Sequence, residues 1–283
     1  MSGMLFALVL GAALMHATWN AIVKVVADRL VSLTLVNFTH SLIALAFLPF
    51  VGLPAPESWP YLIASLVIHQ AYYAGLVMQY RFGDLGQVYP LARGASPLIV
   101  AAVAWAWAGE ALAPGALLAI LLITGGTLSL AMIGWGQGSH RQAVTWAMFT
   151  ALCIAGYSLA DGFGGRASGQ PLAYIVWLFL LDGLPMVFLL PWRRSRAQLS
   201  ASLGRHWRQG LIGGVLSTTA YGIVIWVMSQ APLAMVTALR ETSVIGAALI
   251  GAYILKEPFG ARRILAACAV ALGVAALQFS GSF

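Results

Sequence analysis

Three charged residues stand inside stretches of almost pure hydrocarbon: Arg93 in "LARGASPLIV", and Arg240 with Glu241 in "ALRETSVIGAALIGAYIL". A guanidinium presents a planar fork that matches a carboxylate or phosphoryl group bidentately, so anion recognition is the chemistry these arginines suit. Arg240 and Glu241 are consecutive, and on a helix consecutive side chains diverge by about 100°, so they must serve different partners. The expectation is that Arg240 projects into a central cavity as one half of a substrate clamp with Arg93. Glu241 would neutralise a neighbouring cation, Arg93 or Lys24, while the cavity is empty.

Other polar groups fall at spacings that could line the same cavity. His16, Asn20 and Lys24 recur every four residues with Trp19 alongside, a spacing that puts them on one helix face. Such a stripe on a spanning helix faces the bundle or water, either lining a cavity or bonding to neighbouring helices. Tyr157 and Ser158 repeat the theme later in the chain. Tyr72, Tyr73, Tyr221 and Trp226 lie within apolar segments and can wall an aromatic pocket, whose ring faces also suit an ammonium group. Trp59, Trp192 and Trp207 fall at segment ends and read as interfacial anchors. His40 and Asp182 fall near the centres of two segments, where an aspartate costs at least about 2.5 kcal/mol and needs compensation. They are candidates for proton coupling, against a structural alternative in which a protonated Asp182 is bonded locally. Pro97 removes the helix bond to the Arg93 carbonyl, which predicts a break there and a free acceptor for a solute. Glu110 and Glu257 read as dipole caps of the helices that follow them. The runs "GWGQG" and "DGFGGRASG" follow no strand and read as flexible loops rather than phosphate cradles.

The elements that must position these groups follow from composition. The chain is 61% hydrophobic and 8% charged, whereas a soluble domain carries about 25% charged residues, so the solvent is a bilayer. Apolar stretches of about 20 residues bounded by turns fall at 4–26, 31–52, 59–80, 86–108, 115–134, 142–161, 171–192, 208–229, 232–255 and 263–280. Ten spanning helices follow, because backbone polar groups in lipid must be satisfied within each segment. The long apolar runs exclude a closed barrel, whose strands would alternate apolar and polar. The first stretch carries polar residues and lacks a basic leader, so it reads as a helix rather than a signal peptide. Cys153 and Cys268 are single, which implies neither a disulfide framework nor a metal. The loops after odd-numbered segments hold Lys24, Arg29, Arg81, Arg141, Arg193, Arg194, Arg196, Arg205, Arg208, Lys256, Arg262 and Arg263, while those after even-numbered segments hold only Arg166. Basic residues mark the cytoplasmic side, so both termini are expected outside a cytoplasmic membrane of bacterial type. The run "WRRSRAQLSASLGRHWR" is then a solvated loop against anionic lipid, not a nucleic-acid site.

The two halves also repeat. A shift of 147 residues places Arg93 on Arg240, Ser96 on Ser243, Glu110 on Glu257 and Gly126 on Gly273. A shift of 142 places His40 on Asp182, and a shift of 138 places Trp19 on Tyr157 and Asn20 on Ser158. The changes of offset fall in loops. Five helices per half is odd, so the second copy (139–283) enters the membrane inverted relative to the first (1–138), an architecture of secondary transporters with the site at the midplane between repeats. This layout, with "HATWN" in the first segment, "YPLARGASP" containing Tyr89 and Arg93 in the fourth, and "GE" and "KE" after the fourth and ninth, resembles the EamA-type members of the drug/metabolite transporter superfamily. The resemblance implies a carrier of a small metabolite, often an exporter, with both termini in the cytosol, the reverse of the charge reading. The residues suit a substrate bearing a carboxylate or phosphoryl group, such as an amino acid or related zwitterion. A quaternary amine in an aromatic cage is the alternative, with the arginines merely paired to Glu241 and Asp182. No nucleophile elbow, metalloprotease spacing or nucleotide fingerprint points to an enzyme, and none implies a cofactor. The expected partners are the substrate and lipid, with protons a candidate coupling ion; the oligomeric state is left open, a monomer included.

Overall fold

In the computed structural model the described residues are 1–25, 29–82, 85–131, 140–193, 196–253 and 261–280. They form eleven helices and two short 3₁₀ turns, Leu48–Phe50 and Pro56–Ser58. The helices are α1 (Gly3–Val25), α2 (Arg29–Phe47), α3 (Trp59–Phe82), α4 (Leu85–Ala108), α5 (Pro114–Ala131), α6 (His140–Ala167), α7 (Pro171–Arg193), α8 (Arg196–Met228), α9 (Leu233–Arg240), α10 (Ser243–Tyr253) and α11 (Ala261–Ser280). Among the described residues six helices are long and apolar enough to cross a membrane, and three further apolar stretches are shorter.

The distribution of polarity is inverted relative to a water-soluble protein. Trp105, Trp107, Leu118, Leu265, Leu272 and Phe279 are exposed, whereas Arg93, Arg240, Glu241, Asp161 and Asp182 are buried. An outward apolar surface needs a hydrocarbon solvent, and charges inside it need partners. With lipid outside, helix association rests on close packing, which small residues permit. α5 and α11 show this most clearly. A Cβ on Gly126 would lie 3.0 Å from the Ala266 carbonyl and 2.9 Å from Val270, and one on Gly273 would lie 2.9 Å from the Ala119 carbonyl and 2.7 Å from Ile123. The same shift of 147 that pairs the glycines pairs Ala119 with Ala266 and Ile123 with Val270. The two helices cross antiparallel. Elsewhere α1 packs on α8, α3 on α6, and α2 on α7 and α8, while α4 contacts α5, α6 and α9.

Four expectations change. Helix 4 is not broken at Arg93: α4 runs continuously through Pro90 and Pro97, because the Ser96 hydroxyl donates to the Arg93 carbonyl at 3.1 Å and satisfies the freed acceptor. The break lies instead in the ninth segment, split into α9 and α10 at Glu241 and Thr242, where N–H groups tighten to carbonyls three residues back. Helix 6 continues to Ala167, so "DGFGGRA" is helical rather than a loop. Its glycines admit other helices: a Cβ on Gly162 would lie 2.3 Å from Leu233, and one on Gly164 would lie 2.4 Å from Tyr174. The basic run after helix 7 is mostly helix too, since α8 starts at Arg196, although Arg205, Trp207 and Arg208 are exposed. The run "GWGQG", the proposed repeat boundary at 138–139, Glu257 and the side chain of Lys24 lie outside the described residues.

Candidate functional site

The buried charges gather where α4, α6, α8 and α9 meet. Arg93 Nε donates to Glu241 Oε2 at 3.1 Å, joining α4 to the α9–α10 break. Arg240 leaves the same break in a different direction, as consecutive helical positions require. Its Nη2 reaches the Tyr157 hydroxyl only at 3.4 Å, beyond the usual N–H···O range of about 2.7–3.2 Å. Its guanidinium carbon lies 5.8 Å from the Tyr157 ring centroid and 5.6 Å from that of Tyr221. Among the described residues, Arg240 Nε, Arg93 Nη2, Glu241 Oε1 and the Ser158 hydroxyl are buried without hydrogen-bond partners. Arg240 is 2% exposed, and among the described residues it forms no ion pair. Cation–π contacts contribute up to about 2 kcal/mol each when desolvated, against a desolvation penalty of several kcal/mol for a buried ion. Glu241 also lies within electrostatic reach of Arg240.

The surrounding walls are aromatic. Tyr157 stacks on His69 at 4.3 Å and meets Tyr72 and Tyr221 edge-on at 5.6 and 5.7 Å. Tyr89 lies one turn before Arg93 on α4, within electrostatic reach of both Arg93 and Glu241. On α1, Trp19 Nε1 donates to His16 Nδ1 at 3.2 Å and Asn20 Nδ2 donates to the His16 carbonyl at 2.8 Å, so this stripe bonds chiefly within itself. His16 still lies within electrostatic reach of Arg93 and Arg240. Trp226 packs against the apolar clusters, and among the described residues no ring contact ties it to the tyrosines.

A second polar centre joins α2, α3 and α7. Gln70 Nε2 donates to Asp182 Oδ1 at 3.2 Å. The Tyr73 hydroxyl sits 2.9 Å from Asp182 Oδ2 and 2.9 Å from Asn37 Oδ1. One hydroxyl proton cannot serve both acceptors, so the chain is complete only if the Asp182 carboxyl carries a proton of its own. His40 is buried against Phe179, ring centroids 5.2 Å apart, and among the described residues both its nitrogens lack hydrogen-bond partners. No hydrogen bond joins His40 to Asp182.

Sequence reasoning missed Asp161, His69, Gln70, Asn37 and the pairing of Glu110 with Arg166. Asp161 is fully buried on α6 and accepts from the hydroxyls of Tyr174, at 3.0 Å, and Tyr221. Its signal was present as an acid four residues after Tyr157, but the glycines behind it read as a loop. Tyr221 therefore has Arg240 on its face and Asp161 at its hydroxyl. Glu110 caps an unexpected helix: Leu233 N–H donates to its Oε2 at 3.0 Å, so it caps α9 rather than the adjacent α5.

No curated protein sequence matches the chain. A solved crystal structure superposes with a TM-score of 0.75 at 16% identity over 99% of this chain and 98% of its own, a likeness that shows the fold. Residues 141–278 match the model of the EamA-like transporter family. Residues 141–278 therefore carry the signature of the EamA-like transporters, a family of the drug/metabolite transporter superfamily, within a chain that shares the fold of that solved structure along its whole length.

Proposed function

We propose that the protein is a secondary carrier of a small metabolite bearing a carboxylate or phosphoryl group, a zwitterion such as an amino acid foremost, moved by alternating access between two inverted repeats. The observation that carries the anion is Arg240, buried and, among the described residues, in no ion pair and without a hydrogen-bond partner on Nε. Arg93 shares its site through Glu241, which an anionic substrate would displace. Asp161, bonded to the hydroxyl of the Tyr221 ring that Arg240 contacts, supplies an opposite pole for an ammonium group. The aromatic-cage reading for a quaternary amine is disfavoured, because the Tyr157 and Tyr221 faces it needs already hold a guanidinium. Its premise that an arginine pairs with Asp182 also fails, since Asp182 bonds Gln70 and Tyr73. The reciprocal glycine contacts of α5 and α11 support the inverted repeat.

Alanine, N-acetylalanine, alaninamide and O-phosphoserine separate the charges. Thermal stabilisation of the purified protein by the acid-bearing probes is expected, since a ligand of the native state raises its apparent stability. Arg240→Lys keeps the charge and loses the fork. It should fold and bind those probes at least tenfold more weakly, about 1.4 kcal/mol. Stabilisation confined to alaninamide, or an Arg240→Lys protein that binds like the parent, would refute anion recognition.

A further inference from the structure

Glu110 and Arg166 meet at the end of the bundle where α4, α6 and α8 finish and α5, α7 and α9 begin. Gly109 ends α4 in the left-handed conformation, φ 64°, which glycine adopts without strain. The chain then turns so that the Glu110 N–H bonds back to the Ala104 carbonyl at 3.2 Å. One Glu110 oxygen accepts the first N–H of α9, at Leu233, and the other accepts Arg166 Nη1. Arg166 also donates from Nε to the Met228 carbonyl at 3.0 Å and from Nη2 to the Ala231 carbonyl at 2.8 Å. A single guanidinium–carboxylate pair thus ties the α4–α5 turn, the end of α6 and the α8–α9 turn. A surface cavity lined by the same two residues with Ser229, Gln230 and Pro232 lies against it.

Two features set this clasp apart from a static tie. The Arg166 and Glu110 side chains are 31% and 15% exposed, so water reaches the pair and it can part without stranding a charge in hydrocarbon. Its mechanical partner is α9, eight residues long and buried throughout, whose first residue Glu110 holds and whose last is Arg240. At about 1.5 Å per residue, α9 places Arg240 roughly 10 Å below the clasp. Ser158 stands eight residues before Arg166 on α6 and reaches a similar depth.

We infer that Glu110 and Arg166 are positioning residues for transport: paired, they close this end of the bundle and, through α9, hold Arg240 and Glu241 at the depth of the site; parted, they open it. The inference rests on the carrier reading, but not on the class of substrate.

Accessibility tests it without a substrate. In a background with Cys153→Ala and Cys268→Ala, which removes the native thiols, Ser158→Cys reports entry of a membrane-impermeant maleimide applied from each side of sealed vesicles. Adding Arg166→Gln or Glu110→Gln should raise the labelling rate from the clasp side at least tenfold, with the rate from the other side unchanged or lower. Arg166→Lys, which retains a cation for Glu110, should fall between. Thermal midpoints identify folded variants, and Arg166→Lys serves if the glutamine variants do not fold. Folded variants that label from the clasp side at the parent's rate would overturn the inference, as would an equal rise from both sides. Failure of every acid-bearing probe to bind would bear on the substrate reading alone.

Discussion

At the scale of single residues, the core sorts its charges by direction as well as by sign. Arg240 and Glu241 are neighbours in sequence yet serve α6 and α8 on one hand and α4 on the other. Removing one member of a buried pair typically costs about 3–5 kcal/mol, so charge-deleting variants confuse folding with function. Charge-preserving changes are the informative ones. Asp182 offers another such test. The Asn37–Tyr73–Asp182 chain at 2.9 Å per link requires a protonated carboxyl. Infrared difference spectra of the parent against Asp182→Asn should show one protonated carboxylic-acid carbonyl stretch lost at neutral pH. If that band is absent from the parent, the carboxyl is ionised and the bonding scheme is wrong. If it is present, uncoupling of flux from a pH gradient in Asp182→Asn or His40→Gln separates proton coupling from a purely structural acid, since counterflow exchange needs no net proton movement.

Among the elements, close approach decides which helices stay put. At the α5–α11 crossing, a methyl group on Gly126 or Gly273 would press on the facing backbone carbonyl, which cannot rotate away. Gly126→Ala and Gly273→Ala should each destabilise the protein by about 1–3 kcal/mol, the usual cost of overpacking. Gly125→Ala, at a position with open space around the added carbon, should stay within about 0.5 kcal/mol of the parent. Denaturant midpoints in one detergent compare all three. Equal effects at 125 and 126 would mean that helix propensity, not the crossing, governs the site. By contrast, α9 and α10 are separate, and the discontinuity brings a short helix's end to the charges. Discontinuous helices are a means by which many carriers present backbone and side chains near the membrane midplane.

For the whole molecule, the charge bias and the clasp bear on orientation together. Arg166 is the lone basic residue in the even-numbered loops, and its charge is met by Glu110. The clasp face therefore offers little free positive charge to hold it in the cytoplasm, where the positive-inside rule counts lysine and arginine near helix ends. A reporter active only outside the cytoplasm, fused after Phe283, is expected to be active. Activity of a cytoplasm-only reporter there would reverse the orientation, in line with what the family resemblance implies, and would leave the carrier intact because inverted halves function either way up.

Much of this protein was legible in its sequence, because hydrocarbon imposes its rules locally. A backbone in lipid must bond within its own segment, so composition named the solvent and apolar length pointed to a helical bundle, in which six helices among the described residues are long and apolar enough to span. A buried arginine is costly enough to need compensation, which singled out Arg93 and Arg240 as site candidates before any contact was known, and both are buried. What tertiary structure decided was how each polar group is satisfied. Pro97 does not break α4, because a hydroxyl one residue earlier takes over the carbonyl's bond. "DGFGGRA" is helix rather than loop, because its glycines make room for Leu233 and Tyr174 and its aspartate finds two tyrosines. Glu110 caps a helix more than a hundred residues away rather than the one beside it. In each case the deciding partner lies far along the chain, and neither spacing nor composition encodes which distant donor or acceptor will fold against a given group.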